Sequence, residues 1–412
     1  MEWKEVRLGD IVSIKSGLAY KGAFIGKGEN ILLGMGCVSF KDKFLFSGAR
    51  PYEADCDDKY CVEPGDIVLA TRQQSDNLPI LAMPAIIPSS LKAKKIIYGT
   101  NLYKVENHSE VTNDFLFWQL KMPDYIDYIS SVKTGSVVRM VTKKNIEDYV
   151  FRCPPKEVRD RISKLLWGLD RKIELNNKIN DDLEEMAQAI FKNCFVDFEP
   201  FKNGKFVDSE LGMIPEGWKV GRADDFYQIN IGKTPPRKEH KWFSNNPADK
   251  IWVSIANMGN SGIFISDSSE YLTKEAVDRH NIIMVPRNTI LLSFKLTVGR
   301  VAIADKELTT NEAIARFILS DDKYMEYLYL YLKKYDYNSL GSTSSIATAV
   351  NSKTIKGMQM LQPSDKIIDA FHIQVNPIFE KIRSLTKENS RLSLLRDTLL
   401  PRLMSGELEV PE

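Results

Sequence analysis

Apolar residues follow two rhythms along this chain. Short runs such as Ile67-Val68-Leu69-Ala70, Ile96-Ile97-Tyr98, Ile251-Trp252-Val253-Ser254-Ile255 and Ile290-Leu291-Leu292-Ser293-Phe294 are punctuated by Gly, Pro and Asn, and read as buried strands. Asp114–Leu120 and Lys323–Lys333 carry shorter helical patterns between them. From Glu157 to Cys194 there is no proline and a single glycine, Gly168. There Ile162, Leu166, Leu169, Ile173, Asn176, Asn180, Leu183, Ala187 and Ile190 alternate at spacings of four and three, the seam of a coiled coil. An offset of 209 gives a second seam: Phe371, Val375, Ile378, Ile382, Leu385, Asn389, Leu392, Arg396 and Leu399. Asn180 and Asn389 fall on equivalent positions, where a polar residue costs stability but sets register. Pro377 predicts a start or a kink inside the second helix.

The whole chain is duplicated in the same way. Trp3, Lys4, Arg7 and Asp10 return as Trp218, Lys219, Arg222 and Asp225 at an offset of 215, which also pairs Ile14 with Ile229 and Gly17 with Gly232. Pro64–Ala70 resembles Pro286–Leu292, Thr100-Asn101 resembles Thr310-Asn311, and Lys144–Ile146 aligns with Lys353–Ile355. The drifting offset indicates loops of different length on one skeleton. The organisation predicted is α+β: globular regions at 1–155 and 199–364, and long helices at 156–198 and 365–412, pairing antiparallel with pseudo-twofold symmetry. A helix of that length spans ~57 Å. The competing arrangement is one amphipathic helix lying on each globular core. Trp3 and Trp218 are predicted core residues.

Length and composition narrow the classes. The 412 residues suit two or three domains. Lys+Arg total 56 and Asp+Glu 55, so a uniformly basic coat is excluded while local basic patches are not. No apolar run approaches the ~20 residues of a membrane span, which predicts no membrane association. Five scattered cysteines, at 37, 56, 61, 153 and 194, suggest reduced thiols in a cytoplasmic protein. Only four histidines are present, and no His/Cys group has zinc spacing. Phosphate-loop, dinucleotide and nucleophile-elbow motifs are absent. Thr234-Pro235-Pro236-Arg237 lacks the Asn and the aromatic residue of an adenine methyltransferase string. Asp225 followed by Glu239 and Lys241 has nuclease-like spacing. Asp225 also pairs with Asp10 in the duplication, which reads as part of a repeated N-terminal strand. The residues therefore predict no catalytic and no metal site.

Three strings carry a family resemblance: Phe191-Lys-Asn-Cys-Phe-Val-Asp-Phe-Glu-Pro200, Ile214-Pro-Glu-Gly-Trp-Lys219 and Leu399-Leu-Pro-Arg-Leu-Met-Ser-Gly-Glu-Leu408. With the duplicated layout, the chain resembles the specificity subunit of type I restriction–modification systems. The resemblance implies two target recognition domains (1–155 and 199–364), each reading half of a bipartite double-stranded DNA target. It implies spacer helices that dock two methyltransferase subunits, and restriction subunits alongside. S-adenosylmethionine, ATP and Mg would then belong to those partners, and this chain would hold no cofactor and catalyse nothing.

Base reading uses Arg, Gln and Asn, and phosphate holding uses Lys, Arg and hydroxyls. In the first domain Arg72, Gln73, Gln74 and Asn77 follow a strand-like run, and Lys133, Ser136, Arg139, Lys143 and Lys144 form a second polar stretch. In the second domain the candidates are Lys233, Arg237, Lys238 and Lys241, then Lys295, Thr297 and Arg300 after the strand equivalent to the one before Arg72, and Asn257. Each stretch also fits an ordinary polar turn. The other readings of the chain are a coiled-coil scaffold that binds only proteins, and a metal-dependent nuclease.

Overall fold

The computed structural model describes residues 3–74, 79–260, 262–340 and 350–410. The chain divides into two compact units, Met1–Ile173 with Arg391–Glu412, and Glu174–Ser390. Each combines short strands with helices, as the α+β pattern predicts.

The duplication is visible strand by strand. In the first unit the central antiparallel sheet runs Val12–Ser16, Leu102–Asn107, Ile67–Ala70, Pro84–Ile86. In the second the order is Gln228–Ile231, Ile314–Ile318, Ile290–Ser293, Val301–Ala304, with Phe264–Ile265 added. The first and last strands of each copy pair identically: Lys4 sits opposite Cys153 and Arg7 opposite Val150, as Lys219 sits opposite Gln362 and Arg222 opposite Gln359. Ile14 and Ile229 are both buried. The repeated glycines have a steric reason: a Cβ on Gly17 would stand 2.2 Å from the Gly99 carbonyl oxygen, and one on Gly232 would stand 1.9 Å from that of Asn311. Lys250–Val253 is a strand, but the run ends there, because Ser254 and Asn257 form a hydrogen-bonded turn into a short helix, Ile255–Asn260. Asp10 and Asp225 lie in helical turns just after the repeated strand rather than in it.

The long helices run Lys156–Phe195 and Asp365–Met404, 40 residues each and offset by 209 at both ends. The second is continuous through Pro377. That residue is exposed, on the flank where Ile373 is 75% exposed, so the carbonyl left without a donor does not face the core. Each unit contains a stretch of both helices. In the first, Ile162 and Leu166 share one core with Leu400, Leu403 and Met404, and the Arg396 guanidinium reaches Asp170 at 2.5 Å. In the second, Asn176 Nδ2 donates to Glu388 and to Asn389 Oδ1, both at 2.9 Å, and Asn389 Nδ2 donates to Asn177 at 2.7 Å. Residue 170 opposite 396 and 176 opposite 389 define an antiparallel pair. The helices therefore do not lie singly on separate cores. Leu169, Ile173, Asn180, Leu183, Ile190, Ile378, Leu392 and Leu399 are half-buried, and Leu166, Ile382 and Leu385 buried. Asn389 meets Asn176 and Asn177, whereas its counterpart Asn180 leaves its Oδ1 without a hydrogen-bond partner.

The first long helix ends in an aromatic joint. Phe195, Phe198 and Phe201 surround Trp218 with ring centroids 5.7, 5.6 and 5.1 Å away. Trp218 is buried; Trp3 is half-buried, beside Arg152 and over Gly406. Pro215-Glu216-Gly217-Trp218 closes as a turn, Trp218 N–H to Pro215 carbonyl, with Gly217 at φ +85° where a side chain is disfavoured. The sulfurs of Cys56 and Cys61 stand 3.9 Å apart as free thiols, and burial, then the neighbouring thiol, pushes Cys56 up to about 12.

Ionic contacts fasten the second helix in the second unit. Arg383 and Asp305, 2% and 3% exposed, meet at 2.8 Å, and Lys387 and Arg287 approach the same carboxylate at 3.3 and 3.5 Å. Fully buried Glu326 accepts from Asn376 and contacts His372 Nδ1, both at 2.8 Å. Asp305→Ala leaves the buried Arg383 guanidinium with Glu380, 3.1 Å away, as its remaining carboxylate and should cost about 1–3 kcal/mol in urea unfolding, whereas Asp305→Leu with Arg383→Met should recover most of it. A single-site loss below about 1 kcal/mol would show that solvent reaches the pair.

Candidate nucleic-acid interface

The structure joins the two polar stretches of the first unit. Arg72–Gln73 and Arg139–Met140 form a two-stranded ribbon, with Arg139 opposite Gln73. Thr134 and Met140 exchange backbone hydrogen bonds at 2.9 Å, closing a hairpin over Gly135, whose carbonyl accepts from the Arg139 guanidinium. Arg72, Gln74, Ser136 and Lys143 are exposed, and Lys133 and Arg139 half-buried. Lys143 opens a short helix capped by Thr142. Asn77 lies outside the described residues. Gln73 differs from expectation. It is 6% exposed, and its Oε1 accepts the Leu81 N–H at 3.2 Å. Its amide supports the loop instead of facing solvent.

In the second unit acidic side chains stand among the candidate cations. Arg237 stacks over Phe243 and Trp252, at 4.2 and 4.5 Å from the ring centroids, and pairs with Glu270 at 2.6 Å. Lys233 Nζ donates to the His280 carbonyl at 2.5 Å. Burial works to raise the Glu312 carboxyl. The Thr234 hydroxyl bonded to it, its own backbone amide, and the charges of Lys295 and Arg237 outweigh burial and hold it below the usual carboxylate range. Lys241 lies 4.3 Å over the buried Trp242 ring and near Glu239. Lys238, Lys295 and Thr297 are exposed.

Two further candidates serve the fold. Asn257 Oδ1 accepts from the Ser254 amide and hydroxyl at 2.9 and 2.7 Å, the turn role of an Asn. Arg300 Nη1 donates to the Ile255 carbonyl at 2.7 Å and lies against Gly259. Arg316 was missed by the sequence reading. It is 1% exposed, donates to the Ile231 and Ile283 carbonyls at 2.7 and 2.9 Å, and burial pulls it down to about 10. It thereby holds the segment leading into Lys233; its signal was an arginine inside the apolar run Ile314–Ile318. Asp225 accepts the Arg222 N–H at 2.9 Å. Among the described residues no group of three His, Cys, Asp or Glu is placed to hold a metal ion.

Two copies of one sheet skeleton, each with polar loops and each followed by a helix that pairs with the other, define a duplicated two-unit architecture. Residues 1–185 and 215–372 match the model of the type I restriction modification DNA specificity domain, so the chain belongs to that family of non-catalytic specificity subunits. It is 26% identical to the Type I restriction enzyme HindI specificity subunit of Haemophilus influenzae, over 99% of this chain and 100% of that protein. It is 30% identical to the MjaIX specificity subunit of Methanocaldococcus jannaschii, over 73% of this chain and 70% of that one. The crystal structure of the S subunit from M. genitalium shares the fold, with a TM-score of 0.53 at 13% identity, over 100% of this chain and 97% of that one. Among the described residues, no helix is long and apolar enough to cross a membrane.

Gln73→Ala removes the acceptor of a buried N–H and should cost about 1–3 kcal/mol. Faster hydrogen exchange at the Leu81 amide would report it; unchanged exchange there would show that the bond does not hold the loop.

Proposed function

We propose that this chain is the sequence-reading subunit of a type I restriction–modification complex, and that each unit reads one half of a bipartite double-stranded DNA target. The observation that carries the reading is the repetition: one strand order occurs twice, and each copy ends in a helix that pairs with the other copy's helix. A duplicated reader suits a two-part target, and paired helices suit a fixed gap between the parts. Arg72 and Gln74 are the base-reading candidates of the first unit, with Arg139, Lys133, Ser136 and Lys143 beside them. Lys233, Arg237, Lys238, Lys241, Lys295 and Thr297 face the phosphates of the second half-site.

The helices also carry the partners. Leu175, Ile179 and Met186 lie along one flank of the first helix at spacings of four and seven and are 50, 41 and 53% exposed, which suits docking of the methyltransferase subunits. Restriction subunits join that assembly. S-adenosylmethionine, ATP and Mg enter with those subunits, and the assembly works in the cytoplasm on chromosomal DNA.

Mapping methylated adenines in cells that carry the system should give one two-part motif with a fixed gap; a contiguous motif, or none, would overturn the reading. Removing one heptad from each helix should shorten the tolerated gap by on the order of 10 Å, about three base pairs, and an unchanged gap would refute the spacing role. Arg72→Ala should relax one half of the motif. Lys238→Ala should weaken binding about equally on all sequences and flatten its salt dependence. Gel shifts on half-site variants that show the same effect for both changes would refute this division of labour.

A further inference from the structure

Leu296 is 99% exposed, an apolar side chain given wholly to solvent. Its backbone is also strained, with φ at +61°, a conformation that leucine rarely adopts. The strain is held in place. Thr297 N–H donates to the Lys295 carbonyl at 2.7 Å, and the hydroxyl of fully buried Ser293 donates to the Thr297 carbonyl at 2.6 Å. Gly299 N–H returns to the Ser293 carbonyl at 3.0 Å, and Arg300 N–H to the Ser293 hydroxyl at 3.0 Å. A loop free to relax would turn such a side chain inward; this one is braced so that it points out. Its neighbours Lys295 and Thr297 are exposed, and the Lys295 and Arg237 charges both act on Glu312. The loop follows Ile290–Ser293, the duplicate of the strand Ile67–Ala70 that leads to Arg72.

We infer that Leu296 is a specificity-determining apolar contact to DNA bases: it enters a groove against a base step or a thymine methyl while the Lys295 ammonium meets the adjacent phosphate. A surface with both anionic and apolar parts matches this side-chain pair, and DNA offers both within one groove. The inference rests on the DNA-reading function proposed above.

Leu296→Gly and Leu296→Asn both fit a left-handed backbone, so the strain and the contact separate. The measurement uses the chain copurified with its methyltransferase subunits, and a duplex carrying the motif found by methylation mapping. The expected result is a thermal midpoint equal to or above wild type, with affinity for that duplex about tenfold lower. Affinity for a duplex whose second half-site is scrambled stays unchanged, and the mapped motif relaxes in that half alone. Wild-type affinity and an intact motif in the Leu296→Gly complex would overturn the inference and leave the DNA-reading function standing. Loss of the methyltransferase subunits from the variant complex would also overturn it, by placing Leu296 against a protein. A wild-type complex with no preference for the mapped duplex would overturn the DNA-reading function itself, and this inference with it.

Discussion

Everything in this molecule depends on two 40-residue helices finding each other in one antiparallel register. The apolar seam supplies adhesion, but leucine and isoleucine at a repeating spacing pack almost as well one heptad away. Polar groups remove that freedom. Arg396 and Asp170, 14% and 4% exposed, meet at 2.5 Å. A slipped register would part this pair and leave the buried Asp170 carboxylate only Lys43, 3.6 Å away, at a cost of about 1–3 kcal/mol. The Asn176–Asn389 hydrogen bond adds only about 1 kcal/mol when made, but it works the same way, because unpaired amides in the seam cost more than paired ones gain.

These polar contacts also break the symmetry that the duplication creates. At an offset of 209, the counterparts of Asp170 and Arg396 are Phe379 and Ala187, both buried in the core of the second unit. The counterparts of Asn176 and Asn389 are Leu385 and Asn180. The backbone repeats while the fastening does not: the first unit uses an ion pair where the second uses apolar packing. Each helix segment is thereby suited to its own unit. A gene duplication alone would give two interchangeable halves; the divergence at three of these four positions makes them distinct.

Regular features were legible in the residues and irregular ones were not. A seam is a spacing, so Ile162 through Ile190 and Phe371 through Leu399 announce themselves, and so do strands such as Ile67–Ala70. Pro377 does not start the second helix, which runs unbroken from Asp365 to Met404 with the proline on its exposed flank. Within the polar stretches, side chains committed to the fold are not separable by local pattern from exposed ones. Gln73, Asn257 and Arg300 have the chemistry of DNA readers, yet they serve the Leu81 amide, the Ser254 turn and the Ile255 carbonyl. A long-range partner such as Leu81 or Ile255 leaves no mark on local composition. Arg316 erred the other way, since a cation inside a strand does structural work that no surface motif advertises.

Cations and anions are nearly balanced along the chain, 56 to 55. Among the loop cations Arg237 is held by Glu270, and Glu312 feels the charges of both Arg237 and Lys295. Such pairing keeps long side chains ordered before any ligand arrives, which lowers the entropy lost on binding. It also weakens the long-range field that would draw the chain to any polyanion. A protein built this way gives up non-specific affinity and keeps directional contacts. That exchange suits the DNA specificity family to which the chain belongs, where discrimination counts for more than attraction to any polyanion.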